Sequence, residues 1–296
     1  MTSTTGTLPP ADRRSVFDNA PMGIALLTPG GVLVDVNPTL GQMLGRDPAQ
    51  LSGVSVLDLV DPDDVPAAQE AHGQLLALRG KPMRHETRLL HRDGSALPVQ
   101  VTAAAVEGTP GGEVGHLVMI IEDITDRKAL EAQLVHQSLH DPLTGLPNRI
   151  LFRDRLRHAL ERGHRERTPT CVVVIDLDGF KAINDEHGHP MGDLVLVAFA
   201  EKLTSVLRAS DTAARLGGDE FSIVCENTER QDAEVLADRL RRSVPERLTL
   251  GDTTVTLGMS IGIGSVPGGA DPEEAYDSLV RAADDAMYAD KAARRR

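Results

Sequence analysis

A chain of 296 residues, 41% apolar and 25% charged, has the length of two globular domains. Its 44 acidic and 31 basic residues leave a net charge of −13, which repels polyanions and argues against a nucleic-acid polymer as partner. With 2% aromatic residues and no Trp, base-stacking platforms are excluded as well.

Residues 1–14 are polar and are expected to be a disordered tail. The first ten are Thr-rich and lack the basic-then-apolar layout of a secretory signal, which points to the cytoplasm. No run approaches the roughly 18 apolar residues of a membrane span, so no membrane insertion is expected.

Residues 15–124 mix short strands with helices. Gly23–Leu27 and Val32–Val36 flank a Thr-Pro-Gly-Gly turn and read as a hairpin, followed by a helix over Pro38–Leu44. Three further strand runs, His85–Leu90, Ala96–Val106 and Val114–Ile121, are separated by the turns Arg92–Gly94 and Thr109–Gly112. A small antiparallel sheet with helices on one side follows.

Residues 125–139 place Leu130 and Leu134 at helical spacing among charged residues, which predicts an amphipathic connecting helix. His136 and His140 are four apart, but no third metal ligand is near, and a solvated face is the better reading.

From residue 140 the order becomes strand, two helices, hairpin, helix, strand, helix. The strands are Cys171–Ile175, Ala213–Leu216, Phe221–Cys225 and Val255–Gly264. The helices cover about 150–162, 180–186, 193–207, 229–243 and 275–292. This order suits a mostly antiparallel sheet with packed helices, close to a ferredoxin-like layout. Cys171 and Cys225 both fall in strands and read as buried thiols, not as a disulfide.

Two acidic clusters carry the chemistry. Gly217-Gly218 joins two strand runs as a two-residue turn, with Asp219 and Glu220 at its tip and no side chain to block a phosphate. Asp176-Leu177-Asp178 ends the strand that starts at Cys171, just before a helix whose free N–H groups suit a phosphate. If the two strands pair, Asp176 faces Asp219 and Glu220. Three hard oxygen ligands then converge, as a Mg²⁺ shared with nucleotide phosphates requires.

Ordered motifs run through both halves. Asn37-Pro38, Leu44-Gly45, Glu86-Thr87-Arg88, Asp93-Gly94-Ser95 and Asp123-Ile124-Thr125-Asp126-Arg127 make residues 15–124 resemble a PAS sensor domain. Such domains bind haem, flavin or metabolites, or only dimerise. The segment has no Cys for a photoreactive flavin, and His72, His85 and His91 are better read as surface or core residues than as haem ligands, so no ligand is assigned.

Residues 140–296 resemble a GGDEF domain of the diguanylate cyclase family. The motifs are His140–Arg149, Asp176–Lys181, Ile183–Asp185, Gly188–Asp193, Arg215–Phe221, Ser260-Ile261-Gly262, and Ala283-Asp284 with Met287-Tyr288 and Lys291. The fold class implied is α/β (α+β): a PAS-type antiparallel sheet with flanking helices, a connecting helix, then a GGDEF domain of ferredoxin-like, nucleotide-cyclase and polymerase-palm type.

The resemblance implies condensation of two GTP into cyclic di-GMP in a homodimer, with two Mg²⁺ or Mn²⁺ per active site. Asp176, the Leu177 carbonyl, Asp219 and Glu220 are the implied metal ligands, with Asp219 and Glu220 sharing hydroxyl activation. Asn184 and Asp193 occupy the guanine positions, although either residue type also caps helices. His189 lies in the same pocket-forming loop. Phe180, Lys181, Gly217, Gly218 and Lys291 line the ribose and phosphates. The family continues after its lysine with Gly-Arg-Asn, whereas here Ala292-Ala293-Arg294-Arg295 follows, and Arg295 keeps the arginine spacing.

Arg208 and Asp211 match an RxxD product-inhibition site, with Arg239 as a second contact from a partner subunit. Arginine grips the O6/N7 edge of guanine, and Asp accepts from its N1 and N2 donors. The alternative reading is a non-catalytic receptor for GTP or cyclic di-GMP.

Overall fold

The computed structural model describes residues 10–78, 81–108, 113–244 and 247–294. The turn expected at 109–112 and the candidate Arg295 lie outside the described residues. The chain divides into two compact units, Met1–Gln133 and Leu134–Arg296. Among the described residues no helix is long and apolar enough to cross a membrane.

The first unit opens with helix α1 (Pro10–Asp18). Residues 10–14 are therefore helical rather than part of a disordered tail. Arg14 secures this turn by pairing with Asp18 at 3.0 Å and with Asp35. Strands β1 (Gly23–Leu27) and β2 (Leu33–Val36) follow, then helices α2 (Pro38–Leu44), α3 (Pro48–Leu51) and α4 (Val65–Ala77). Strands β3 (Met83–Leu90), β4 (Ala96–Glu107) and β5 (Val114–Asp123) complete an antiparallel sheet in the order β2-β1-β5-β4-β3.

Alternation along β4 turns Val99, Val101, Ala103 and Ala105 into the core, as a half-buried strand requires. Asn37, fully buried, starts α2. Its Oδ1 accepts from the amides of Leu40 and Ile24, and its Nδ2 donates to the carbonyls of Phe17 and Met22. A cavity of about 50 Å³ with almost wholly apolar walls remains inside. His72 and His85 border it, and burial lowers the pKa of His85. His91 instead pairs with Asp93 at 2.9 Å.

Helix α5 (Thr125–Leu139) has no buried residue, and Leu130, Leu134 and Val135 are more than half exposed along it.

In the second unit α6 (Arg149–Glu166) precedes β6 (Thr170–Asp178). Then come α7 (Phe180–His187), α8 (His189–Ser205), the hairpin β7 (Thr212–Gly217) and β8 (Glu220–Glu226), and α9 (Arg230–Ser243). The strand expected over 255–264 is two strands broken at Leu257: β10 (Thr253–Thr256) pairs with β9 (Arg247–Leu250), while β11 (Gly258–Val266) joins the main sheet. Helix α10 (Pro272–Arg294) closes the chain. The main sheet is antiparallel in the order β11-β6-β8-β7, as a ferredoxin-like layout predicts.

Strand β6 is buried along nearly its whole length because both faces are covered. Cys171, Val173, Ile175 and Leu177 face a core with residues of α7, α8 and α9, where Phe199 meets Phe221 edge to face at 4.7 Å. Val172 and Val174 face the other core, with Phe152 and Leu156 of α6 and Leu279, Ala283 and Met287 of α10. Period two therefore puts Asp176 on the α10 side and Leu177 on the other. Both cysteines are free and buried, and burial pushes the Cys171 thiol up to about 11.

Candidate active site

The Gly-Gly turn sits one residue later than the sequence suggests. Gly217 pairs with Glu220, so Gly218 and Asp219 form the tip, and the register shifts between Arg215 and Gly217. Gly217 and Gly218 have φ of 141° and 54°, values that glycine adopts without strain. Arg215 braces this bulged turn: its Nε and Nη2 donate to the Gly218 carbonyl at 3.0 and 2.8 Å. Its Nη1 donates to Asp141 at 2.9 Å, and Asp141 also accepts from the Thr144 amide and hydroxyl. Burial disfavours the Asp141 carboxylate, yet the bonds from Thr144 and Arg215 outweigh it and hold its pKa below the ordinary range.

Pairing of β6 with β8 sets Asp176 opposite Glu220, and the Leu177 amide donates to the Asp219 carbonyl at 3.3 Å. The backbone is thus as expected, but the three carboxylates do not converge. Among the described residues no group of three or more His, Cys, Asp or Glu forms a metal cluster. Two of them have a cation from a neighbouring helix close by. Lys291 of α10 lies 2.5 Å from Asp176 Oδ1, and Arg149, at the start of α6, lies 3.8 Å from Glu220 Oε2. Burial, then the nearby Asp176, raises the pKa of Asp219, against the pull of Lys291 and Arg215.

A cleft of about 510 Å³ opens beside this group. Asp219, Leu177, Phe180, Lys181 and Lys291 line it, with Asp178 and Arg294, which motif reading did not assign to the site. Both Asp178 oxygens accept from the buried Ser260 hydroxyl at 2.9 Å, a contact no local pattern announces. Gly179, at φ 84°, precedes α7 and leaves the helix N-terminus facing the cleft without a side-chain cap.

Asn184 and Asp193 are not caps. Asn184 lies inside α7, and α8 begins at His189, four residues before Asp193. His189 is accordingly the first residue of a helix, not a loop residue. A Cβ on Gly192 would overlap the Asn184 amide and crowd Phe180, so glycine there lets Asn184 lie against the first turn of α8 beside Asp193.

Lys291 is positioned by close packing. A Cβ on Gly262 of β11 would overlap the Ala283 carbonyl and the Met287 amide, so α10 rests directly on the strand. Asp290, next to Lys291, accepts from the Ile261 amide at 2.9 Å and from Arg241 at 3.0 Å.

At the far end of β7, the Asp211 carboxylate accepts from the Arg208 amide at 3.1 Å. Both line a small pocket with Arg239, whose guanidinium donates to the Val206 carbonyl. Arg208 also borders a cleft of about 280 Å³ with Arg162, itself held by Glu226 at 2.8 Å. Arg162 lies on α6, outside the RxxD motif.

Carboxylates, lysines and a helix N-terminus thus face one open cleft beside a ferredoxin-like sheet. Residues 138–296 match the family model described as diguanylate cyclase, GGDEF domain, and residues 17–129 match that of the PAS fold. The chain belongs to the GGDEF diguanylate cyclase family and carries a PAS domain ahead of its GGDEF domain.

The bifunctional diguanylate cyclase/cyclic di-GMP phosphodiesterase MucR of Pseudomonas aeruginosa is 42% identical over 156 residues, 53% of this chain and 22% of MucR. The diguanylate cyclase TpbB of the same species is 43% identical over 159 residues, 53% of this chain and 36% of TpbB. This chain therefore spans about a third or less of these curated relatives. Among solved structures, the coiled coil and GGDEF domain of DgcB from Caulobacter crescentus, in complex with c-di-GMP, is 29% identical with a TM-score of 0.51. That match covers 56% of this chain and 87% of the other.

Proposed function

We propose that this chain condenses two GTP molecules into cyclic di-GMP and releases two pyrophosphates. The observation that carries the reading is the cleft lined by Asp219, Lys181 and Lys291, with Asp176 paired to Lys291 at its edge, in a chain of this family. It supports turnover over mere nucleotide reception, because the Gly-Gly-Asp-Glu turn is intact.

The donor set fits a hard divalent cation. Asp176 and Asp219 are acceptor-only oxygens when ionised, Leu177 lines the cleft with Asp219, and Asp219 is held in surroundings that disfavour its charge. Asp176, the Leu177 carbonyl, Asp219 and Glu220 would hold two Mg²⁺ or Mn²⁺. Bound there, they lower the pKa of a hydroxyl and neutralise the departing pyrophosphate.

The chain's own groups do the rest. Asn184 and Asp193 accept and donate along the guanine edge, with His189 at the same helix start. The N-terminal amides of α7, with Phe180 and Lys181, hold phosphate and ribose, and Lys291 reaches the terminal phosphates. The Asp219 and Glu220 carboxylates receive the 3′-hydroxyl proton. The 3′-oxygen then bonds to the α-phosphorus of the second GTP as its bond to pyrophosphate breaks, and the step repeats to close the ring.

One domain holds one GTP, so two copies must face each other as a homodimer. Residues 15–124 form the sensor, 125–139 the signalling helix and 140–296 the cyclase, with the helix altering dimer geometry. Arg208, Asp211 and Arg239 bind the product and limit its accumulation.

Incubation with GTP and Mg²⁺, followed by chromatography, tests the reading. Cyclic di-GMP is the expected product; tight GTP binding without product would replace the enzyme by a receptor. Removing residues 1–124 should change the rate, and an unchanged rate would count against sensor control.

A further inference from the structure

The Lys291 ammonium is already paired with a carboxylate oxygen of Asp176 that a cation would use. It lies 2.5 Å from Asp176 Oδ1, with the lysine side chain 23% and the aspartate side chain 12% exposed. Lys291 and Asp219 line the same cleft. Pairing of Asp176 with Lys291 competes with binding of a divalent ion, because the two positive charges would then be held within a few ångströms of each other.

The geometry points to Lys291 as an internal counter-ion that a divalent cation displaces from Asp176 and that nucleotide phosphate then captures. This inference rests on the metal-site reading above. Lysine suits the exchange: a compact charge on a four-carbon stem keeps several rotatable bonds. The seat of Lys291 near the end of α10 is fixed by Asp290, so only the side chain needs to move. Without a cation the ammonium neutralises Asp176. With a cation on Asp176 it is released into a cleft that also presents Lys181 and the amides of α7. Metal and nucleotide then favour each other's binding, because each removes a competitor from the other's site. By linkage the effect is reciprocal.

The test is binding, not turnover. Free Mn²⁺ is titrated by electron paramagnetic resonance against the intact, nucleotide-free protein and against Lys291→Met, with thermal melting as a check on folding. Lys291→Met should tighten Mn²⁺ about tenfold and weaken GTP, and bound GTP should enhance Mn²⁺ affinity less in the variant than in the native protein. Asp176→Asn should lose the tight Mn²⁺ site with or without Lys291. Equal or weaker Mn²⁺ binding by Lys291→Met, with Asp176→Asn still defective, overturns the counter-ion role and leaves the metal site standing. Mn²⁺ binding indifferent to Asp176→Asn overturns both.

Discussion

The Asp141 carboxylate lies 2.9 Å from Nη1 of Arg215, and the other nitrogens of the same guanidinium hold the Gly218 carbonyl. The motif that opens the domain thus supports the Gly-Gly turn from behind. Asp141→Ala leaves Arg215 largely buried without its partner and should destabilise the second unit by about 2 kcal/mol. Because the folded-state pKa of Asp141 is lowered, its stabilisation is present above the ordinary carboxylate range and fades as pH falls through that lowered value. Denaturant unfolding at neutral and acid pH checks this: native protein and Asp141→Ala should converge in stability at the acid end.

Asp219→Ala should abolish cyclic di-GMP formation while the fold persists. Burial and then Asp176 raise the pKa of Asp219, so its ionised form opposes folding at neutral pH. The variant should therefore melt no lower than the native protein without added metal. Turnover measured beside a melting curve separates these effects, and retained activity would refute the site.

Gly192→Ala should push the Asn184 amide away from Asp193. The expected result is a tenfold or greater rise in KM for GTP, matching about 1.4 kcal/mol of lost binding. Inosine triphosphate, which lacks the guanine N2 amine, should suffer less from the substitution. An equal loss for both nucleotides would argue against a guanine role.

Gly262→Ala places a methyl group against the backbone of α10, which has no flexible side chain to yield there. Overpacking of this kind costs about 1–3 kcal/mol. Shifting α10 moves Lys291, so GTP affinity should fall together with the unfolding temperature. Calorimetric binding and melting on one preparation check both.

Arg208→Ala removes one wall of the pocket shared with Asp211 and Arg239, at the opposite end of β7 from the Gly-Gly turn. Initial rates should stay near native while inhibition by added cyclic di-GMP weakens at least tenfold. Product titration of the initial rate decides, and an unchanged inhibition constant would remove the site.

Residue chemistry was legible along the chain wherever local pattern governs it. The apolar run of β6 declared a central strand. Glycines 217 and 218 declared a turn, and acidic residues beside each declared where hard oxygen donors gather. The motif spacing was enough to name both domains. What failed locally was the exact tip of the hairpin, because the bulge depends on Arg215 reaching across it. The helix start at His189 and the break at Leu257 were missed as well.

Side-chain partnership belonged to the tertiary structure alone. Asp141 meets Arg215 across 74 residues and Lys291 meets Asp176 across 115, distances over which no periodicity carries information. The sequence determined that Asp176, Asp219 and Glu220 would be neighbours, since strand pairing follows from alternation and turn placement. Only packing decided that α10 would bring a lysine to the first and α6 an arginine to the third. Asp176 pairs with Lys291 at 2.5 Å and Glu220 lies 3.8 Å from Arg149.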